Sequence, residues 1–197
     1  MIKNLIFDLG DVLMEYRATE MLMDYGLSRE EALALDDLMF YDPLWAILDK
    51  GTMTNEEVIA GYAKKYPKHA DAIGWFIRHG EYMHVPRPKV WKRVHELKEE
   101  GYRIYLLSNY SKDFFQKHTK DASFMCDLDG AVVSYQIHET KPDAAIYEYL
   151  LEKYQLNPAE CLFFDDRTEN VEGAVNVGIA AKRVISQEQL LEMLAKL

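Results

Sequence analysis

Cysteine is nearly absent from this chain: its 197 residues include two, Cys126 and Cys161. With no C-x-x-C pair and no cysteine–histidine ligand spacing, they exclude a disulfide framework and a zinc ribbon, and they read as buried free thiols in a reducing compartment. Glycine (10) and proline (6) are too few for a collagen-like or low-complexity chain. No apolar run approaches the ~18 residues of a membrane span, and the run within MIKNLIFDLG is too short for a signal-peptide core. The expected setting is therefore the cytoplasm, with no membrane partner. Clusters of Lys and Arg are missing too. A formal charge of -10 and a pI near 5.1 disfavour nucleic acid and anionic lipid as partners. No G-x-x-x-x-G-K-[ST], G-x-G-x-x-G or G-x-S-x-G is present, which leaves nucleotide-loop and serine-hydrolase chemistry unsupported. His69, His79, His84, His95, His118 and His138 form no H-E-x-x-H pair, so no zinc site is implied.

What is present is a regular alternation. Hydrophobic residues make up 49% of the chain, enough for a substantial core. From residue 88 onward, short apolar runs alternate with helical patterns, the signature of a parallel sheet covered by helices on both faces. Pro88 and Gly101 bracket a helix. Arg103 to Leu107 reads as a strand, Ser111 to His118 as a helix and Ala131 to Ser134 as a β-rich run. Pro142 is placed to open the next helix. Leu162 to Asp165 is again a strand, a helix follows to about Val177, Ile179 to Val184 is the last strand, and Ser186-x-x-Gln189 starts a final helix. Residues 17–86 break the rhythm, with helix signals and no convincing strand. Ser28-x-x-Glu31 and Thr54-x-x-Glu57 are capping boxes, and Asp42-Pro43 starts a helix that Gly51 can end. The expected fold class is thus α/β: a Rossmann-like parallel sheet core from residues 1–16 and 87–197, with an inserted all-helical cap at 17–86. Met21, Met39, Phe40, Trp45, Trp75 and Phe76 read as the interior of that insert.

Ligands of open α/β sheets bind at the carboxyl ends of strands. Here Leu5-Ile6-Phe7 ends in Asp8, Ile104-Tyr105-Leu106-Leu107 ends in Ser108-Asn109, and Leu162-Phe163-Phe164 ends in Asp165-Asp166, while Lys141-Pro142 lies at a helix start. Each has a plain structural reading alone: a strand-end Asp caps a turn, Lys141 is a solvated lysine, Asn170 is ordinary helix surface. Together, three acids, a hydroxyl, an amide and an ammonium converge on one crevice. Clustered carboxylates raise one another's pKa unless a cation shares the site, and hard oxygen donors favour Mg2+. Asp8 and Asp166 are the ligands of choice. A metal would let the Asp8 carboxylate approach an anionic phosphoryl group as nucleophile, giving an aspartyl-phosphate that water cleaves. Ser108 and Asn109 would hold phosphoryl oxygens by hydroxyl, amide or backbone N–H. Lys141 would stand as a fixed charge between phosphate and carboxylates, and Asn170, one turn beyond Asp166, would orient Lys141 or the loop.

The ordered set IFDLGDVL, LLSNY, ETKPDAAIY and FFDDRTEN resembles the four motifs of the haloacid dehalogenase superfamily over nearly the whole chain. Within it the chain resembles the branch of sugar-1-phosphate phosphatases and of the phosphatase domain of soluble epoxide hydrolases. The resemblance implies a phosphoric monoester hydrolase of a small phosphorylated metabolite, probed first among sugar phosphates. It implies Asp8 as nucleophile, Ser108 and Lys141 on the phosphate, and Mg2+ held by Asp8, Asp166 with Asp165 beside it, and the Gly10 carbonyl. One position departs from the pattern: phosphatases of this superfamily usually carry a second Asp two residues after the nucleophile as general acid and base, and here Gly10 stands there. Asp11 is adjacent, either as a surrogate acid or as a turn-capping residue.

Three other readings stay open at this level. Dehalogenation uses the same Asp on carbon without a metal. Carbon–phosphorus cleavage needs an imine-forming cap lysine, for which Lys50, Lys64, Lys65 and Lys68 are available. A catalytically silent phosphate-binding module would keep the fold and lose the chemistry. Monomer and homodimer are equally compatible with the sequence.

Overall fold

Asn4–Phe7 forms β1, and all four residues are buried, as expected for a central strand covered on both faces. The computed structural model describes all 197 residues. After β1 come β2 (Met14–Tyr16), α1 (Ala18–Tyr25), α2 (Arg29–Phe40), α3 (Pro43–Lys50), α4 (Asn55–Lys65), α5 (Ala70–Arg78) and β3 (His84–Pro86). The chain continues through α6 (Pro88–Glu99), β4 (Arg103–Ser108), α7 (Lys112–Thr119), β5 (Gly130–Val133), α8 (Ser134–Ile137) and α9 (Ala144–Tyr154). It ends with β6 (Cys161–Asp165), α10 (Thr168–Asn176), β7 (Ala180–Arg183) and α11 (Gln187–Leu194). Five strands form one sheet in the order β5-β4-β1-β6-β7, every pair parallel.

The two-residue period of the strands divides the core. Leu5 and Phe7 of β1, Ile104 and Leu106 of β4, and Leu162 and Phe164 of β6 point to one face, where Val90, Val94 and Leu97 of α6 and Leu190 and Leu194 of α11 cover them. Ile6, Tyr105, Leu107 and Phe163 point to the other, against Ile146, Tyr147 and Leu150 of α9 and Ala174 of α10. Burying each such side chain contributes about 1.5–3 kcal/mol. The first cluster does not stop at the sheet. It runs on through Met21 and Leu22 of α1, Met39 of α2, Leu48 of α3 and Phe76 of α5 as one body of 37 buried residues, so no polar boundary separates the helical segment from the sheet.

Local signals define the helical segment. Ser28 and Thr54 cap α2 and α4 as full capping boxes with Glu31 and Glu57. Asp42 caps α3 ahead of Pro43, and Gly51 ends it at φ 64°, a left-handed conformation that favours glycine. Four expectations need correction. The span 17–86 contains a strand after all: β3 pairs antiparallel with β2 through Met14↔Pro86, Glu15↔Val85 and Tyr16↔His84. Three-residue strands carry no readable alternation, and their pairing is a long-range event. Pro142 does not open a helix, because a turn closed by Asp143 N–H on Thr140 O intervenes and α9 starts at Ala144. Cys126 is exposed, and only Cys161 is a buried thiol. Lastly, Phe40 and Trp45 are not purely interior, since both also line the cavity described below. No helix is long and apolar enough to cross a membrane.

Candidate active site

The neighbouring strands β4, β1 and β6 end side by side, and their last residues meet. Asp8 follows β1 directly, Ser108 closes β4 and Asp165 closes β6. Ser108 Oγ donates to Asp8 Oδ1 at 2.6 Å, and the Leu9 N–H donates to the same oxygen at 2.7 Å. Lys141 Nζ reaches it at 2.9 Å. Every hydrogen bond and ion pair on the Asp8 carboxylate thus falls on Oδ1, and Oδ2 has no polar partner from the protein. Lys141 also donates to Asp165 Oδ2 at 2.6 Å and to Leu107 O at 3.0 Å, which uses all three of its N–H groups. Its side chain is 1% exposed. Burial alone would lower its pKa, but the Asp165 and Asp8 charges outweigh burial and hold the ammonium above its ordinary value.

Two adjacent carboxylates at the end of β6 take different surroundings because the strand alternation turns them apart. Asp165 is fully buried, and it accepts from Lys141, from the Arg167 N–H at 2.9 Å and, on both of its oxygens, from Asn170 Nδ2 at 2.9 and 3.1 Å. Asp166 lines the cavity; Arg183 Nε donates to its backbone carbonyl at 3.0 Å, and its carboxylate has no hydrogen-bond donor from the protein. Burial, followed by the charges of Asp8 and Asp165, pushes the Asp166 carboxyl up to about 8. Burial likewise raises Asp8 to about 6, with Asp165 adding to the rise against Lys141 and Ser108. Asp8, Asp165 and Asp166 offer oxygens within 4.8 Å of one another. Three hard anionic donors this close, two of them held back from ionising, fit a small divalent cation.

Asn109 and Asn170 serve as braces. The Asn109 side chain donates to Lys141 O at 2.9 Å and accepts from the Lys141 N–H at 2.8 Å, so its amide is engaged in fixing the lysine's backbone. Asn170 orients Asp165, and only through it Lys141. Gly10 lies on the cavity wall, and a Cβ placed there would stand 2.4 Å from the Tyr16 ring. No side chain fits at position 10 unless Tyr16 moves. Asp11 also lines the cavity, with Oδ1 tied to the β2–β3 ribbon: it accepts from the Tyr16 N–H at 3.1 Å and faces Arg87 Nη2 at 3.9 Å. The buried Arg87 in turn donates to Asp11 O at 2.6 Å, and Trp91 Nε1 donates to Leu13 O at 2.6 Å, so α6 holds the loop behind the nucleophile.

The cavity over Asp8 has a volume of about 360 Å³. Its floor is the strand-end cluster, and its roof comes from the helical segment: Glu20, Asp36 and Asp37 with Thr19 on α1 and α2, and Phe40, Trp45 and Asp49 around α3. Sequence reasoning did not identify Asp36, Arg87 or Asp49. Acidic residues on amphipathic helices look like solvated faces, and only the packing of α1 to α3 against the sheet edge turns these inward. No lysine lines the cavity. Of the four lysines of the helical segment, Lys65 is engaged by Asp42.

Comparison with known proteins identifies relatives of the chain. The chain is 27% identical over 183 residues to drimenol cyclase drtB of Aspergillus calidoustus, covering 91% of this chain but 33% of that protein. It is 26% identical over 181 residues to sesquiterpene phosphatase astK of Aspergillus oryzae, covering 90% of this chain and 87% of that protein. It is 24% identical over 193 residues to D-ribitol-5-phosphate phosphatase of Bacteroides thetaiotaomicron, covering 87% and 86%. A crystal structure of a haloacid dehalogenase family enzyme from Bacteroides thetaiotaomicron, solved as its magnesium complex, superposes with a TM-score of 0.74 at 25% identity, covering 98% of both chains. The model of the haloacid dehalogenase-like hydrolases matches residues 2–178, and this chain belongs to that family of hydrolases.

Proposed function

We propose that the chain is a magnesium-dependent phosphatase that hydrolyses a small phosphorylated metabolite through an aspartyl-phosphate on Asp8. The observation that carries the reading is the cluster of Asp8, Asp165 and Asp166, whose oxygens lie within 4.8 Å and which is electrostatically unsatisfied by the protein alone. Asp8 and Asp166, with the Gly10 carbonyl and with Asp165 in support, are the residues that would hold Mg2+. When bound, the metal screens the carboxylates and the phosphoryl oxygens from one another. The chain's own residues do the rest. Ser108 and Lys141 fix one Asp8 oxygen so that the carboxylate presents a single orientation to phosphorus. The buried Lys141 charge lowers the local negative potential without leaving its partners. With the Ser108 hydroxyl proton donated to Asp8, the Asn109 backbone N–H beside it is the group left to hold a phosphoryl oxygen. Residues 17–86 act as a cap over a core of 1–16 and 87–197, and the cap residues select the leaving group.

The roof favours a polyhydroxylated leaving group, a sugar or polyol phosphate. Glu20, Asp36, Asp37 and Thr19 offer hydrogen-bond acceptors to hydroxyls, and Phe40 and Trp45 offer faces for C–H contact. The same carboxylates would repel a second phosphate. The ribitol-5-phosphate phosphatase among the relatives supports the reading, and the sesquiterpene phosphatase marks the apolar alternative.

Phosphate release measured on a panel of phosphorylated sugars and polyols with Mg2+ tests the proposal, and excess EDTA should abolish turnover. Full activity in EDTA would favour carbon-centred dehalogenation instead. A second expectation concerns stability. Asp8 and Asp166 have folded-state pKa values raised above the ordinary 3.8, so their protonated forms stabilise the fold. That contribution is complete below about pH 4 and is lost as pH rises through about 6 and 8. In metal-free protein, thermal stability should therefore fall between pH 5 and 8, Mg2+ should restore more of it at pH 8 than at pH 6, and Asp166→Asn should raise the metal-free melting temperature at pH 8 while blunting the response to Mg2+. A melting temperature of the metal-free wild type that rises from pH 5 to 8 would contradict the electrostatic account.

A further inference from the structure

Phosphoryl transfer from an alkyl ester to Asp8 needs a proton at the departing oxygen, and the family's usual donor position holds Gly10, with Tyr16 packed where a side chain would go. We propose that Asp49, in the last turn of α3, is the proton donor to the leaving group and then the base that activates water. This inference rests on the phosphatase reading above.

Geometry singles out Asp49 among the nearby groups. It lines the cavity that holds Asp8 and Asp166, on the roof facing the strand ends. The end of α3 is fastened to the sheet side: Ser134 Oγ donates to Asp49 O at 2.6 Å, His138 Nδ1 donates to Lys50 O at 2.7 Å, and Gly51 closes the helix against Tyr135. A carboxylate on such an anchored turn keeps a fixed relation to the nucleophile, as proton transfer requires. Its side chain enters no salt bridge. Burial, followed by the charge of Asp8, raises its carboxyl to about 7, against which Arg167 and Lys141 act in the opposite direction. Such a group is available both as acid and as base near neutrality. The other two groups near Gly10 do not serve. Asp11 lines the cavity too, but its Oδ1 is held by the Tyr16 N–H and faces the Arg87 guanidinium, which favours the carboxylate over the proton-bearing acid. The Tyr16 phenol is raised well above its ordinary value by burial, so it does not become the base that the second step needs.

The steps balance. An Asp8 oxygen forms a bond to phosphorus, the bond from phosphorus to the ester oxygen breaks, and that oxygen keeps the electron pair and takes the Asp49 proton to leave as an alcohol. The Asp49 carboxylate then removes a proton from water. The water oxygen attacks phosphorus, the bond from phosphorus to Asp8 breaks, and its electron pair returns to the Asp8 carboxylate. Ester and water become alcohol and inorganic phosphate, and Asp49 is protonated again.

The test is kcat/KM, which reports the steps through leaving-group departure, for p-nitrophenyl phosphate and a primary alkyl phosphate on wild type, Asp49→Asn, Asp49→Glu and Asp11→Asn. Nitrophenolate departs without a proton, so Asp49→Asn should change its kcat/KM by less than about threefold, whereas the alkyl ester should lose about 10²- to 10⁴-fold. With the base gone, Asp49→Asn should also show a stoichiometric burst of nitrophenolate. Asp49→Glu should recover part of the alkyl activity, and Asp11→Asn should affect both esters alike. Equal losses on both esters in Asp49→Asn, no loss on either, or a selective alkyl loss in Asp11→Asn would overturn the assignment. An active wild type with any of those patterns removes this inference alone, whereas a wild type that releases phosphate from no ester removes the phosphatase reading beneath it.

Discussion

Asp8→Asn should reduce phosphate release by about 10⁴-fold or more while leaving a folded protein, because an amide is nearly isosteric with the carboxylate but does not attack phosphorus. The expectation is sharper than for an arbitrary strand-end Asp. The contacts from Ser108, Leu9 N–H and Lys141 all converge on Oδ1, so an Asn oxygen can keep them with its amide directed to the cavity. The variant should therefore keep its melting temperature within a few degrees of wild type. Acid-quenching wild type during turnover of a phosphate-labelled substrate should trap label on protein, and the variant should trap none. Retention of a tenth of the wild-type rate would rule out the covalent route.

Lys141→Ala should have the largest effect on the fold itself. Its ammonium is the only cation among the salt bridges of Asp165, which is fully buried, and it also pairs with Asp8. Removing one partner of a buried pair leaves an uncompensated charge and typically costs about 3–5 kcal/mol. For a chain of this size each kcal/mol shifts the melting temperature by about 2–4 °C, so a fall on the order of 10 °C is expected, together with loss of turnover. Arg should not substitute, since a planar guanidinium does not fill a site shaped for three converging acceptors. Adding Asp165→Asn to Lys141→Ala should recover much of the stability but not the activity, and a double-mutant cycle reads that coupling directly. A Lys141→Ala protein that melts within about 2 °C of wild type would return Lys141 to the role of a solvated lysine.

Several residues differ in how far their roles could be read in advance. Asp8, Ser108 and the Asp165-Asp166 pair were legible because each ends an apolar run, and strand ends of a parallel sheet converge by topology. Sequence reasoning named Asp166 rather than Asp165 as the ligand of choice, but the contacts that separate the two acids were not legible. Asp165 takes Lys141 and Asn170 while Asp166 faces the cavity, a division set by the strand's orientation in the finished sheet. Asn109 was legible as part of the site but not as a brace for the Lys141 backbone, since that contact joins two loops that meet only on folding. Asp49 was invisible for the same reason. In sequence it is one more acid ahead of Lys50 and Gly51.

The sequence by itself determined the elements: alternating apolar runs and helical periods, capping boxes at Ser28 and Thr54, and the prolines and glycines that bound them, because those signals act within a few residues of chain. Tertiary structure alone decided the β2–β3 ribbon, the Tyr16 ring that fills the space beside Gly10, and the roof that Asp36 and Asp49 contribute to the cavity. These depend on contacts between residues tens of positions apart, which have no local energetic signature and form only when one apolar cluster draws the helical segment onto the sheet edge.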